Sequence, residues 1–166
     1  MSITNARRRA VPLALGALVA FAGVSAQAQT ATQTVTFAVN AINQIAFTGS
    51  PSLTITTAIA GSAPTSVTDA TSAWAVTTNQ TGAKITASIP TAMPTGLTLS
   101  TNLAAPAGAT SAGYMALGTV AVDCVTTITK LQQGSLAVTY KLDATAAAGV
   151  VASSTRVVTY TITGGT

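Results

Sequence analysis

Apolar and hydroxylated side chains alternate one for one along much of this chain. Val35, Phe37 and Val39 share one parity, and Thr34, Thr36 and Ala38 share the other. The zigzag returns at Trp74, Val76 and Thr78, at Ile85, Ala87 and Ile89, at Leu136, Val138, Tyr140 and Leu142, and at Val158, Tyr160 and Ile162. Successive side chains of a strand point to opposite faces, so a period of two gives each segment an oily face and a hydroxylated face. Helical winding would scatter the same residues around an axis. The chain is thereby restricted to β-structure. Its 31 threonines between positions 29 and 166 suit that outcome, because β-branched side chains fit a pleated surface.

Turn residues divide the alternation into segments. A first strand is predicted from Thr34 to Phe47, with a bulge or bend over residues 40–44. Leu53, Ile55 and Thr57 make a second, and residues 61–71 read as a loop rich in Gly, Ser, Pro and Asp. Trp74 to Thr78 and Ile85 to Ile89 flank Asn79-Gln80-Thr81-Gly82, which reads as a hairpin loop. Met93-Pro94-Thr95-Gly96 turns the chain into Leu97, Leu99 and Leu103, and residues 104–113 form a loop. Residues 114–128 are predicted as two strands or one broken near Gly118 or Asp123. Residues 144–154 read as a loop, with one helical turn at Ala146-Ala147-Ala148 as the alternative. Eight to ten short strands with regular turn signals and no long amphipathic helix predict an antiparallel β-sandwich of the Ig-like or pilin-like kind.

The first 28 residues follow different rules. Arg7-Arg8-Arg9 precedes an apolar run over residues 10–24, and Ala26-Gln27-Ala28 then places small residues where a signal peptidase cuts. A cleaved secretory signal over residues 1–28 is expected. The run is too short for the roughly 20 residues of a membrane span and is interrupted by Pro12 and Gly16. Residues 29–166 then form one domain, secreted to the exterior or cell surface, with the periplasm as another destination. No transmembrane segment is expected after cleavage.

Residues 29–166 hold no histidine and no glutamate. Their acids are Asp69, Asp123 and Asp143 and their bases Lys84, Lys130, Lys141 and Arg156, so four positive charges face three negative ones for a net of +1. That balance is too weak to track phosphates, and nucleic acid is not an expected partner. Acid–base, nucleophilic and metal catalysis draw on side chains that are nearly absent, so no enzyme, no cofactor and no metal site is expected. Cys124 is the single cysteine, and it reads as a buried thiol in register with Val120 and Val122. Asp69 is expected to cap a turn, and Asp143 to pair weakly with Lys141. Trp74 and Tyr114 are the candidate ligand-stacking aromatics, with a core role the stronger reading for Trp74. Asn79-Gln80-Thr81 matches an N-glycosylation sequon.

The termini carry the remaining signal. Residues 29–47 hold no charged side chain, and residues 157–166 hold none either. Soluble proteins guard sheet edges with Lys, Glu or Pro, and these β-prone ends lack that protection. Val35, Phe37 and Val39 are therefore the candidate strand-exchange segment, by which one subunit adds a strand to another. Two stretches, Thr34-Val35-Thr36-Phe37-Ala38-Val39-Asn40 and Val157-Val158-Thr159-Tyr160-Thr161-Ile162-Thr163, resemble those of secreted bacterial pilin-like sandwiches, spore-coat-U-type subunits among them. Those subunits typically carry a cysteine pair near the start, which this chain lacks, and no functional residue is carried over. The expected function is a non-catalytic structural or adhesive protein that associates with itself or with cell-surface components. A monomeric module binding a glycan or envelope polymer is the alternative.

Overall fold

A computed structural model describes residues 27–166. The chain divides into two units, Met1–Phe37 and Ala38–Thr166. Within the first, residues 27–37 carry no strand. Of the expected signal peptide, all but Gln27 and Ala28 lie outside the described residues.

The second unit is all-β. In chain order its strands are β1 (Asn43–Thr48), β2 (Val67–Thr78), β3 (Ala83–Ser88), β4 (Leu97–Leu103), β5 (Thr110–Ser111), β6 (Met115–Ala116), β7 (Val122–Ile128), β8 (Leu131–Ala144) and β9 (Thr159–Thr163). One sheet has the order β1-β2-β8-β4-β6 and the other β5-β7-β3-β9, with every pairing antiparallel. The described residues contain no α-helix. A single 3-10 turn at Ala146–Ala148 realises the helical alternative for that region.

Alternation creates the core. Trp74, Val76, Val138 and Tyr140 from the first sheet join Ile85, Ala87, Val125 and Ile128 from the second in one buried cluster. Burying each large apolar side chain contributes about 1.5–3 kcal/mol, so this cluster is the main source of stability. Four register shifts occur in the β2–β8 and β3–β7 ladders, and two of them put an extra residue on the later strand beside a positive φ. Between Trp74↔Leu136 and Val76↔Gln133, β8 spends two residues, Gly134 and Ser135, opposite Ala75. Between Ile85↔Val125 and Ala83↔Ile128, β7 does the same with Thr126 and Thr127 opposite Lys84. Ser135 and Thr127 take positive φ there, 56° and 60°.

Several expectations need correction. The first strand begins only at Asn43, because its partner β2 ends at Thr78 and the chain ahead of Asn43 has no ladder to join. No strand forms over Leu53, Ile55 and Thr57, where only an isolated bridge joins Ala58 to Pro64. The predicted loop over residues 61–71 is overrun from Val67 by β2, which finds β8 there (Val67↔Leu142). Asn79-Gln80-Thr81-Gly82 is not a hairpin loop. It carries the chain from β2 in one sheet to β3 in the other, with Gly82 at a φ of 75°. Val120 is exposed, so Cys124 does not share a buried face with it.

Candidate functional site

Four edges of the two sheets lack a neighbour within the sheet: β1, β6, β5 and β9. Edges offer unpaired N–H and C=O groups to other chains, and short length is one defence against that. β5 and β6 have two residues each. β1 and β9 have six and five, and neither contains a charge or a proline.

These two long edges lie against each other. The Phe47 ring of β1 stacks on the Tyr160 ring of β9 with centroids 4.0 Å apart and planes 11° from parallel. Trp74 stacks on Phe47 at 6.0 Å. Ile45, Phe47, Val158, Tyr160 and Ile162 pack on the core yet stay only half-buried. Ile85, Leu103, Cys124, Val125 and Ile128 are fully sealed by comparison. The apolar border between β1 and β9 is bridged by these rings and half-buried, as are Leu53, Met93, Leu99, Met115, Val122 and Leu131 elsewhere around the core.

A hydroxyl chain lies beneath this border. Tyr160 donates to the Tyr140 hydroxyl at 3.0 Å, which leaves Thr101 Oγ1 to donate to Tyr160 at 2.8 Å. Thr101 and Tyr140 face each other on β4 and β8, so the chain joins the first sheet to β9 of the second. Burial, ahead of the hydrogen bonds, pushes the hydroxyl pKa of both tyrosines upward.

The candidate strand-exchange residues fall in residues 27–42, which carry no strand. Val35, Phe37 and Val39 are 71%, 89% and 79% exposed. Just after them the chain is clamped by one side chain. Asn79 Oδ1 accepts from the Ile42 N–H at 2.8 Å, and its Nδ2 donates to the Asn40 carbonyl at 2.8 Å. The Asn79 N–H also reaches the Ile42 carbonyl at 3.3 Å. The sequon asparagine thus spends its amide on holding residues 40–42. The C-terminus is bound close by, with Thr81 and Thr166 exchanging backbone bonds of 2.9 and 3.2 Å.

The three aspartates each have polar partners. Asp69 accepts from the Thr71 hydroxyl at 2.6 Å, the Thr71 N–H at 2.8 Å and the Ser52 N–H at 3.0 Å, the capping role expected of it. These bonds, the Thr71 hydroxyl first, hold its carboxyl below the ordinary carboxylate value. Asp123 pairs with Lys84 and Asp143 with Lys141, each at 3.0 Å. Asp143 also accepts from the Ser66 hydroxyl, the leading reason its pKa is lowered. Burial first, and Asp123 second, push the Cys124 thiol up to about 11, away from thiolate chemistry. Among the described residues no three metal-binding side chains cluster.

The two candidate aromatics separate. Trp74 is 1% exposed and donates its indole N–H to the Ala104 carbonyl at 3.2 Å, so its ring has no face open to a ligand. Tyr114 is 45% exposed, with Lys141 Nζ 5.2 Å from its ring centre. An open concavity of about 350 Å³ lies elsewhere, bordered by Ile42, Thr78, Asn79 and Lys130.

Sequence reasoning placed Phe47 and Tyr160 on inward faces but missed that they meet. Pairing between strands far apart in the chain leaves no local signal. No family model, no curated protein and no solved structure matches this chain.

Proposed function

We propose that this chain is an exported, non-catalytic structural or adhesive protein of the cell surface. In this reading residues 1–28 are removed on export and the two antiparallel sheets form an Ig-like or pilin-like sandwich. Subunits associate by β-strand addition, giving a filament or surface lattice. The observation that carries it is the exposure of Val35, Phe37 and Val39 in an uncharged, alternating segment without a strand of its own. Such a segment has β-propensity and an oily face, and lacks only a ladder to join. β1 and β9, uncharged and of similar length, have no neighbour on one side within their sheets. The engagement of all three carboxylates in turns and ion pairs, and the raised thiol pKa of Cys124, fit a protein that works by contact.

Electron microscopy of sheared cell-surface material, and of the purified protein at high concentration, tests this reading. Ordered fibres or lattices are the expected result, and a monodisperse monomer at high concentration would reject it. A monomeric module for a glycan or envelope polymer is the second reading, favoured by the exposed Tyr114 ring beside Lys141. A glycan array in which Tyr114→Ala abolishes binding would support that alternative.

A further inference from the structure

Between β8 and β9 we infer a processing site: a protease with a small S1 pocket, of the elastase class, cuts after Val150, Val151 or Ala152 and leaves the C-terminal piece in place. Residues 149–155 are exposed one after another and carry no charge and no proline. Val150 is 103% exposed. The stretch is pinned only at its ends. Thr145 donates its N–H to the Gly96 carbonyl at 2.8 Å and Gly149 its own to the Ala146 carbonyl at 3.4 Å. At the far end Arg156 Nη2 donates to the Ala92 carbonyl at 3.4 Å. Among the described residues no hydrogen bond reaches residues 150–154. Exposed loops of small residues are where proteases nick folded proteins, because such a segment enters an active site without opening the core. A small S1 pocket suits the Val and Ala side chains found here.

Other irregular stretches of the β unit are tied down. Residues 49–66 contain Pro51 and Pro64, with the Ser52 N–H bonded to Asp69 and the Thr65 N–H to the Thr57 carbonyl. Residues 104–113 are held by the Ala107 N–H on Gln133 and the Ala112 N–H on the Cys124 carbonyl. The cut is a hydrolysis. At Val151–Ala152 the C–N bond breaks, the oxygen of water enters a Val151 carboxylate, and its two protons end on the Ala152 ammonium. β9 then keeps its place without the covalent link. It pairs with β3 from Ser88↔Thr159 to Lys84↔Thr163, and Tyr160 stacks on Phe47 and bonds to Tyr140. Thr166 and Thr81 exchange backbone bonds behind it. The site is independent of strand addition.

Limited digestion of the folded full chain with pancreatic elastase, read by intact mass, tests this. Within residues 43–166 the first cut is expected after Val150, Val151 or Ala152. The two pieces should elute together in native buffer and separate in urea. A variant carrying Val150→Asp, Val151→Asp and Ala152→Asp should be cut at least about tenfold more slowly, since a small apolar S1 pocket rejects a carboxylate. Its thermal midpoint should stay at the parent value, because none of the three side chains packs on the core. A first cut elsewhere in residues 43–166, or none there below the melting temperature, would overturn the site. So would an unchanged rate in the triple variant. Pieces that part in native buffer would overturn the retention of β9.

Discussion

The Tyr160 hydroxyl donates to the Tyr140 hydroxyl across 3.0 Å, tying the last strand of one sheet to the longest strand of the other. Thr101, fully buried, completes the chain from the β4 side. Tyr160→Phe is expected to lower stability by about 1–3 kcal/mol, because it strands the Thr101 hydroxyl away from water. Adding Thr101→Val should recover part of that loss by removing the orphaned group. Urea unfolding midpoints of the single and double variants check both statements.

Alkaline pH should unfold the protein through the same residues. Tyr140 and Tyr160 have folded pKa values raised above the unfolded value of about 10, and the Cys124 thiol is raised from 9.0 to about 11. A raised pKa means the folded state favours the neutral group. That stabilisation is complete below the unfolded value and is lost as pH climbs through the folded one. Thermal midpoints should be flat up to about pH 9 and then fall steeply. The tyrosinate absorbance of Tyr140 and Tyr160 should appear only with unfolding.

Asp69 acts at the other end of the scale. Its pKa is depressed below 3.8, first by the Thr71 hydroxyl and then by the Ser52 and Thr71 amides. A depressed carboxylate stabilises the fold above the unfolded value and ceases to do so as pH falls through the folded one. Asp69→Ala should therefore lower the melting temperature at neutral pH. The gap from the parent should shrink below about pH 4, as a thermal series in acid would reveal.

Thr127 sits at a φ of 60° in the β7 bulge, a region costly for a β-branched residue and free to glycine. Thr127→Gly is expected to stabilise the protein by about 0.5–1 kcal/mol, against the usual effect of placing glycine in a sheet. Equilibrium denaturation gives the sign directly.

Asn79→Ala should release residues 40–42, since one side chain satisfies both the Ile42 N–H and the Asn40 carbonyl. The expected cost is about 1–2 kcal/mol, with faster hydrogen exchange at the Ile42 amide. Exchange at the Trp74 and Val138 amides, deep in the first sheet, should change little relative to the loss of global stability.

The sequence by itself determined that the chain is β and where most strands fall. Leu97–Leu103 and Thr159–Thr163 stand where alternation put them, and residues 114–128 split into β6 and β7. It also marked Val35, Phe37 and Val39 as an unguarded oily face, because charge depletion and parity are written residue by residue. Tertiary structure alone decided the partners. Asn79-Gln80-Thr81-Gly82 reads locally as a hairpin, yet β2 turns to β8, fifty-odd residues on, and β3 to β7 and β9. Leu53 and Ile55 alternate as well as any strand but form none. Side-chain periodicity is a property of a segment, whereas a ladder requires a second segment at about 4.8 Å. That is why Phe47 and Tyr160, 113 positions apart, came to stack in a contact that neither segment announces.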